Sequence, residues 1–227
     1  MRRLIDLSAS LGEPGLSCPP GFPRVELYTF HQHETHGRQN SQVTMAIHQG
    51  THIDSPRHFF PDGKTIDELP LETFEGRAVR LDLRGRAKPG EPIRVEDIRA
   101  CPGFSEQKLR GAIAVTQTGW AERAVYTEDY FRTNPYLDPE AGRYLVGLGI
   151  KALAMDHPID PGVSPGFRPS KEDSPGHRAV LGAGVPLIEH LVNLETFDAL
   201  EFELIAFPVK FHRCEGAPAR VVAVVEE

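Results

Sequence analysis

The feature that most constrains this chain is a dense group of metal-binding residue types at positions 46–60, AIHQGTHIDSPRHFF. Its polar members His48, His52, Asp54 and His58 all occupy even positions. In an extended backbone alternate side chains project to the same side, so these four groups share one side of the chain. Because Zn²⁺, Mn²⁺ and Fe²⁺ sites share imidazole and carboxylate ligands, the stretch predicts a divalent-metal site.

The same stretch must bend before its histidines can reach one ion. A fully extended strand would separate His48 from His52 by about 13 Å at ~3.3 Å per residue. Gly50 lies between them and permits a bend, and Pro56 limits regular strand pairing after Asp54. A lone histidine is better explained as a core or solvated side chain, but four aligned ligand types with these bending residues favour a metal site.

A second polar pair lies far along the chain. Glu189 stands inside the apolar segment VPLIEHLV, where an unpaired carboxylate costs several kcal/mol. A metal ion would neutralise it, and His177 is a further ligand type in the same region. An Arg-paired glutamate and a histidine at a helix start are the alternative interpretation. We expect His190 to face away if Glu189 faces inward, because neighbouring strand residues alternate.

Composition predicts one compact unit that acts on a small molecule. The 227 residues show no sharp compositional change, so we expect one domain spanning 1–227. A net charge of −7 argues against general binding to nucleic acid or anionic lipid. Without an apolar run of ~20 residues, the chain is expected to be cytoplasmic, with no membrane association. The three separated cysteines form no CxxC pair and indicate neither a disulfide framework nor a thiolate metal site.

Hydrophobic patterning predicts an α/β fold with a mixed β-sheet core and flanking helices. Strands are expected at 3–8, 25–30, 42–47, 78–83, 112–116, 152–155, 185–188, 202–211 and 219–225, and helices at 65–69, 95–100, 138–148 and from about 177. Segment 156–176 is rich in Pro and Gly and has no periodicity, so we expect a lid or pocket wall there. Asp156 at its start is either a pocket acid or a turn cap.

The motif resembles that of the cyclase family of metal-dependent hydrolases, which includes bacterial kynurenine formamidases and isatin hydrolases. The family pattern is His-x-Gly-Thr-His-x-Asp-x-Pro-x-His, and this chain matches it at His48, Gly50, Thr51, His52, Asp54, Pro56 and His58. The similarity continues at 118–120, at His177 and Glu189, and at 208–220, so it covers nearly the whole chain. One departure is at 17–22, where the formamidases carry a pocket Trp and this chain reads SCPPGF.

This resemblance implies a swivelling β/β/α-like fold and a centre that holds one or two divalent ions, with Zn²⁺ preferred and Mn²⁺ the alternative. The implied ligands are His48, His52, Asp54, His177 and Glu189, with Asp54 bridging the two ions. His58 is the implied proton-transferring catalytic residue. Metal-activated water would then hydrolyse a small amide, cyclic amide or lactone.

Alternatives to hydrolysis remain open. A lyase or cyclase acting on a polyketide-like substrate would use the same site without adding water, and a non-catalytic metal-binding module would not need His58. The missing Trp leaves the substrate undetermined. The extended N-terminal region favours exchange between subunits, so we expect a homodimer or homotetramer. The sequence assigns no role to His31, His33, His36 and His212.

Overall fold

A mixed β-sheet of eight strands forms the centre of the computed structural model, which describes residues 1–163 and 168–226. In chain order the strands are β1 (Arg2–Asp6), β2 (Glu26–His31), β3 (Asn40–Thr44), β4 (His52–Asp54), β5 (Glu75–Asp82), β6 (Pro92–Ile93), β7 (Ile113–Gln117), β8 (Tyr136–Leu137), β9 (Ala152–Met155), β10 (Leu187–Glu189), β11 (Glu201–Pro208) and β12 (Gly216–Glu226). The main sheet has the order β1-β12-β11-β5-β7-β9-β10-β4. The predicted mixed sheet is thus confirmed.

The sheet closes on itself because β4 pairs with β12 as well as with β10. The start of β12 pairs with β4, and its later residues pair with β11 and β1. Seven strands therefore form a closed ring, and β1 lies against β12 outside it. The pairings β5–β7, β7–β9 and β9–β10 are parallel, and the other pairings of the ring are antiparallel.

The helices are short and lie around this sheet. They are α1 (His33–His36), α2 (Val95–Arg99), α3 (Glu106–Leu109), α4 (Trp120–Ala124), α5 (Pro139–Gly147) and α6 (Pro175–Leu181). α5 begins as its sequence predicts, because Asp138 accepts a hydrogen bond from the Glu140 amide and Pro139 occupies the first turn. In the described ranges no helix has the length and apolar character to cross a membrane.

Both faces of the parallel strands are buried, which explains their continuous apolar runs. Side chains from all seven ring strands meet in one cluster, for example Ile53, Val115 and Ile188. Alternate residues such as Leu153 and Leu187 join a second cluster with helical side chains of α2, α5 and α6. The ring interior and the helix layer are thus separate hydrophobic cores that share the same strands.

Two differences from the sequence prediction lie next to the predicted metal ligands. The strand expected at 42–47 ends at Thr44 and pairs with β2 in a hairpin apart from the main sheet, so the bend of 45–51 lies between it and β4. Of the loop expected at 156–176, residues 164–167 lie outside the described residues. Its last two residues, Pro175 and Gly176, already belong to α6.

The turn that carries His58 depends on a close backbone approach at Gly63. A Cβ atom there would lie 2.6 Å from the Pro56 carbonyl carbon and 2.8 Å from the Arg57 nitrogen. At Gly85, where φ is likewise not positive, an added Cβ meets nothing within 4 Å.

We therefore predict that Gly63→Ala lowers the free energy of unfolding by roughly 1–3 kcal/mol, as overpacking does. Gly85→Ala should change it by less than about 0.5 kcal/mol. Denaturant midpoints of the two variants measure the difference. Equal midpoints would contradict the tight packing of this turn.

Candidate metal centre

The pairing of β4 with β10 joins the two distant halves of the predicted site. Its register sets Glu189 directly opposite His52, and the His52 Nε2 and Glu189 Oε2 atoms are 3.6 Å apart. Asp54 lies on the same face of β4, with Oδ1 3.1 Å from His52 Nε2. From α6, His177 places Nε2 3.3 Å from Asp54 Oδ2 and 3.7 Å from Glu189 Oε1. Four of the five predicted ligands therefore meet at one point.

The bend at Gly50 brings in the fifth predicted ligand, His48. Gly50 has a φ of 56°, and a Cβ there would lie 2.7 Å from Leu11 Cδ2, so only glycine fits without strain. As a result His48 Nδ1 lies 2.6 Å from Asp54 Oδ1, and its Nε2 lies 3.4 Å from Glu215 Oε1.

The donor atoms of this cluster fit a cation better than they fit one another. Four buried side-chain atoms have no hydrogen-bond partner: His48 Nε2, His52 Nε2, Asp54 Oδ2 and Glu189 Oε1. Orphaned buried polar atoms are costly unless something outside the chain satisfies them. Two ligands of one tetrahedral zinc, each ~2.0–2.2 Å from the ion, lie roughly 3.3–3.6 Å apart. The separations of 3.3–3.7 Å around His177 and Glu189 match that spacing.

Hydrogen bonds on the outer side fix the orientation of two of these imidazoles. His52 Nδ1 lies 2.8 Å from the Gly50 carbonyl oxygen, which can only accept, so the ring carries its proton on Nδ1. His177 Nδ1 makes a short hydrogen bond to Asp160 Oδ2, whose other oxygen accepts from the Gly176 amide at 2.7 Å. In both cases the Nε2 lone pair is directed to the centre, as metal-ligating histidines require.

The electrostatics of the cluster favour positive charge at its centre. Burial opposes the charged form of His48, but the Asp54 and Glu215 carboxylates outweigh it and raise the pKa of His48 to about 9. Burial likewise disfavours charged His177, yet Glu189 and other carboxylates raise its pKa well above the usual value. Despite burial, the pKa of Asp54 is held well below its usual value by His48 and His52. Positive charge on the neighbouring histidines thus stabilises the carboxylate forms of Asp54 and Glu189.

His58 differs from His48 and His177 because its imidazole is neutral near pH 7. It ends the 3₁₀ turn Pro56–His58 and stacks on His48, with ring centroids 3.9 Å apart. Burial lowers the pKa of His58 to about 4, and the charges of His48 and His177 act in the same direction. A neutral imidazole beside the cluster can accept a proton near pH 7.

The cluster forms the floor of an apolar pocket of about 190 Å³. Its walls include Phe22, Phe59, Phe131, Pro158, Ile159 and Val163. Pro158, Ile159 and Val163 belong to the loop predicted to form a lid or wall, and they line the pocket. Segment 17–22, where the formamidase-like Trp is missing, contributes Pro19, Pro20 and Phe22 instead.

The structure assigns a structural role to Asp156, which the sequence left as pocket acid or turn cap. Its carboxylate accepts hydrogen bonds from the Thr118 amide, the Thr118 hydroxyl and the Gly119 amide at 2.7–2.8 Å. These bonds join the ends of β7 and β9. Trp120 packs in the adjoining cluster and donates to the Tyr130 carbonyl. The 118–120 segment is therefore a tight turn with a packed Trp.

The prediction that His190 faces away from the site is wrong. His190 has a φ of 60°, so the backbone leaves the strand alternation there, and His190 lines the same pocket as Glu189. Asp160 and Glu215 also contact the predicted ligands, although the sequence did not predict them as site residues. Asp160 belongs to a loop without periodicity, where no pattern marks a site residue. Glu215 lies near His48 because β12 pairs with β4, and no local sequence pattern predicts that pairing.

The histidines left without a role lie away from this centre. His33 and His36 form α1 at the tip of the β2–β3 hairpin, beside His31. His212 is exposed and lies 3.3 Å from Asp67 Oδ2. None of these four lines the pocket above the cluster.

A family model described as "Putative cyclase" matches residues 5–159, more than half of the chain. This chain belongs to the cyclase family. The match includes the His48–His58 motif, and it confirms the resemblance inferred from that motif. His177 and Glu189 lie beyond the matched region. The β4–β10 pairing sets Glu189 opposite His52, and His177 approaches Asp54 from α6.

The similarity to relatives and solved structures extends over 96–100% of the chain. The kynurenine formamidase of Geobacillus thermodenitrificans (strain NG80-2) is 28% identical over 222 residues, covering 97% of this chain and 96% of the relative. That of Salinibacter ruber is 29% identical over 228 residues, with 96% coverage of both. Isatin hydrolase A from Labrenzia aggregata, bound to benzyl benzoate, has a TM-score of 0.81 and 28% identity, covering 100% of this chain and 94% of its own.

We predict that metal binding by this cyclase-family protein strengthens as pH rises. Below a pKa of about 9 the metal-free His48 carries a proton, and the pKa of His177 is also raised, so an ion must displace both protons. The competition fades as pH rises through those pKa values. Apparent zinc affinity, measured with a competing chelator at pH 6–8, should rise about ten- to a hundredfold per unit. An affinity independent of pH would contradict this protonation pattern.

Proposed function

We propose that this protein is a metal-dependent hydrolase that uses metal-activated water to cleave a small aryl amide, a cyclic amide or a lactone. The observation that carries the proposal is the register that sets Glu189 opposite His52 beneath an apolar pocket, with neutral His58 at its edge. The names of the relatives, kynurenine formamidase and isatin hydrolase, support an aryl formamide or an isatin-like substrate.

The proposed ligands are His48, His52, Asp54, His177 and Glu189. A divalent ion held there would lower the pKa of a water ligand to about 7 and polarise a carbonyl. Zn²⁺ is proposed before Mn²⁺ because imidazole donors outnumber carboxylates, with one or two ions per chain. Asp160 keeps the His177 proton on Nδ1, so that Nε2 remains free to bind.

His58 is proposed as the proton-transferring residue. Its neutral ring accepts a proton from the attacking water and donates it to the departing nitrogen or oxygen. Stacking on His48 holds the imidazole over the cluster. Phe22, Phe59 and Phe131 contact the aryl part of the substrate and exclude bulk water from the reacting carbonyl.

We predict that His58→Ala lowers kcat/KM about 10²–10⁴-fold without loss of bound metal, because it removes the proton shuttle alone. The assay uses N-formylkynurenine, isatin and simple lactones, with metal content measured on the same samples. His212→Ala, at the exposed histidine, is the matched control and should keep wild-type rates.

Reaction in ¹⁸O-labelled water separates the alternatives. Hydrolysis places one labelled oxygen in the product. An unlabelled product would favour a lyase or cyclase, and a metal-loaded protein that turns over none of these substrates would favour a metal-binding module. Full activity of His58→Ala would overturn the proton-transfer role.

We also propose that two or four copies assemble through the β2–β3 hairpin. Every residue of β3 is exposed, and Leu27 and Tyr28 on β2 are 64% and 66% exposed. An isolated two-stranded hairpin is at best marginally stable in water, so packing on a second copy would stabilise it. Sedimentation at micromolar concentration should detect a homodimer or homotetramer, and a monomer alone would contradict this proposal.

We infer one cytoplasmic domain of 1–227 with a swivelling β/β/α-like arrangement. The closed mixed sheet with its surrounding helices supports that arrangement.

A further inference from the structure

His190 is a buried imidazole in the centre that the family motif does not include. It is 4% exposed, lies at the end of β10 and has a φ of 60°. A non-glycine residue in this region of φ is uncommon and is held there by its surroundings. Thr51 provides one restraint, because its hydroxyl donates to the His190 carbonyl at 2.8 Å and accepts from the Ala9 amide. The result is that consecutive residues, Glu189 and His190, point to the same centre.

Tyr130 determines which nitrogen of His190 faces the centre with a lone pair. The Tyr130 hydroxyl lies 3.4 Å from the Asp156 carbonyl oxygen, to which it donates, and 3.0 Å from His190 Nδ1. The tautomer with the His190 proton on Nδ1 satisfies both contacts, because Nδ1–H donates to the hydroxyl and the hydroxyl donates to the Asp156 carbonyl oxygen, which can only accept. The lone pair is then on Nε2, the nitrogen nearer Glu189.

The distances around Nε2 are those of ligands rather than of hydrogen bonds. His190 Nε2 lies 3.6 Å from Glu189 Oε2, the same separation as between that oxygen and His52 Nε2. Donor atoms of His52, Glu189 and His190 all lie within 4.8 Å of one another. A lone pair directed at a carboxylate oxygen in a buried site is repulsive unless a cation lies between them.

We propose that His190 Nε2 is a metal ligand which, with His52 and Glu189, forms a donor set beside that of Asp54, His177 and Glu189. Glu189 then serves both sets, with Oε1 toward His177 and Oε2 toward His190. Tyr130 is the positioning residue that orients His190. This inference rests on the metal dependence of the proposed function, but its test measures metal binding and not turnover.

The first test compares wild type with His190→Asn, since Asn tolerates a positive φ and keeps the backbone conformation. Co²⁺ replaces the native ion, because its visible absorption reports the ligand set. We expect His190→Asn to weaken Co²⁺ binding by more than tenfold and to change the spectrum. Tyr130→Phe should weaken binding about tenfold, as loss of an outer hydrogen bond does. His212→Asn is the matched control and should keep the wild-type affinity and spectrum.

A folded His190→Asn with wild-type Co²⁺ affinity and spectrum would overturn the proposal. If that variant does not fold, ¹⁵N-histidine NMR of the wild-type protein decides. Zinc titration should shift His190 Nε2 as strongly as His52 Nε2, and an unmoved His190 signal would overturn the proposal. Failure of the hydrolase function would differ from both results, because metal binding would stay normal while no substrate is cleaved.

Discussion

Two buried carboxylates, Asp54 and Glu189, set the constraint on which this structure depends. Asp54 is fully buried and Glu189 is 4% exposed, and neither faces an arginine or lysine in the ion pairs of the described chain. Isolated charges in such places cost several kcal/mol, so imidazoles surround them and leave lone pairs and orphaned oxygens directed at a shared point. The arrangement is stable as a whole only if positive charge is supplied there, whether by protons or by a metal ion. This need for positive charge links the stability of the closed sheet to metal binding at the site.

The fold meets that requirement through strand pairing rather than through loops alone. β4 is only three residues long, yet it pairs with β10 on one side and β12 on the other. This closure of the ring sets Glu189 opposite His52 and brings Glu215 beside His48. Thr51, a fixed position of the motif, helps to hold β4 in place by bonding both to the Ala9 amide and to the His190 carbonyl. The glycine at position 50 supplies the bend, and parallel strands with two buried faces keep the platform rigid.

Much of the fold and of the site follows from the sequence, and the exceptions have physical causes. The helix 138–148 and the strand 152–155 followed from capping and periodicity, and Glu189 followed from the cost of a buried acid. The place of His177 beside Glu189 followed only from the family resemblance. His190 was assigned to the wrong side because strand alternation fails where φ is positive. Asp160 acts from a segment without periodicity, and Glu215 reaches the site through a long-range pairing. Closure of the sheet could not be predicted either, because it depends on one short strand with two partners. Local sequence patterns thus identified most of the ligand-type residues, while long-range strand pairing determined which of them lie close together.

Anomalous diffraction from crystals grown with zinc would test most directly whether Asp54 and Glu189 bind the same metal centre. We expect a zinc peak within ~2.0–2.2 Å of carboxylate oxygens from both Asp54 and Glu189, so that the two halves of the chain hold the same centre. Crystals that contain zinc but show no peak bound to either carboxylate would contradict it.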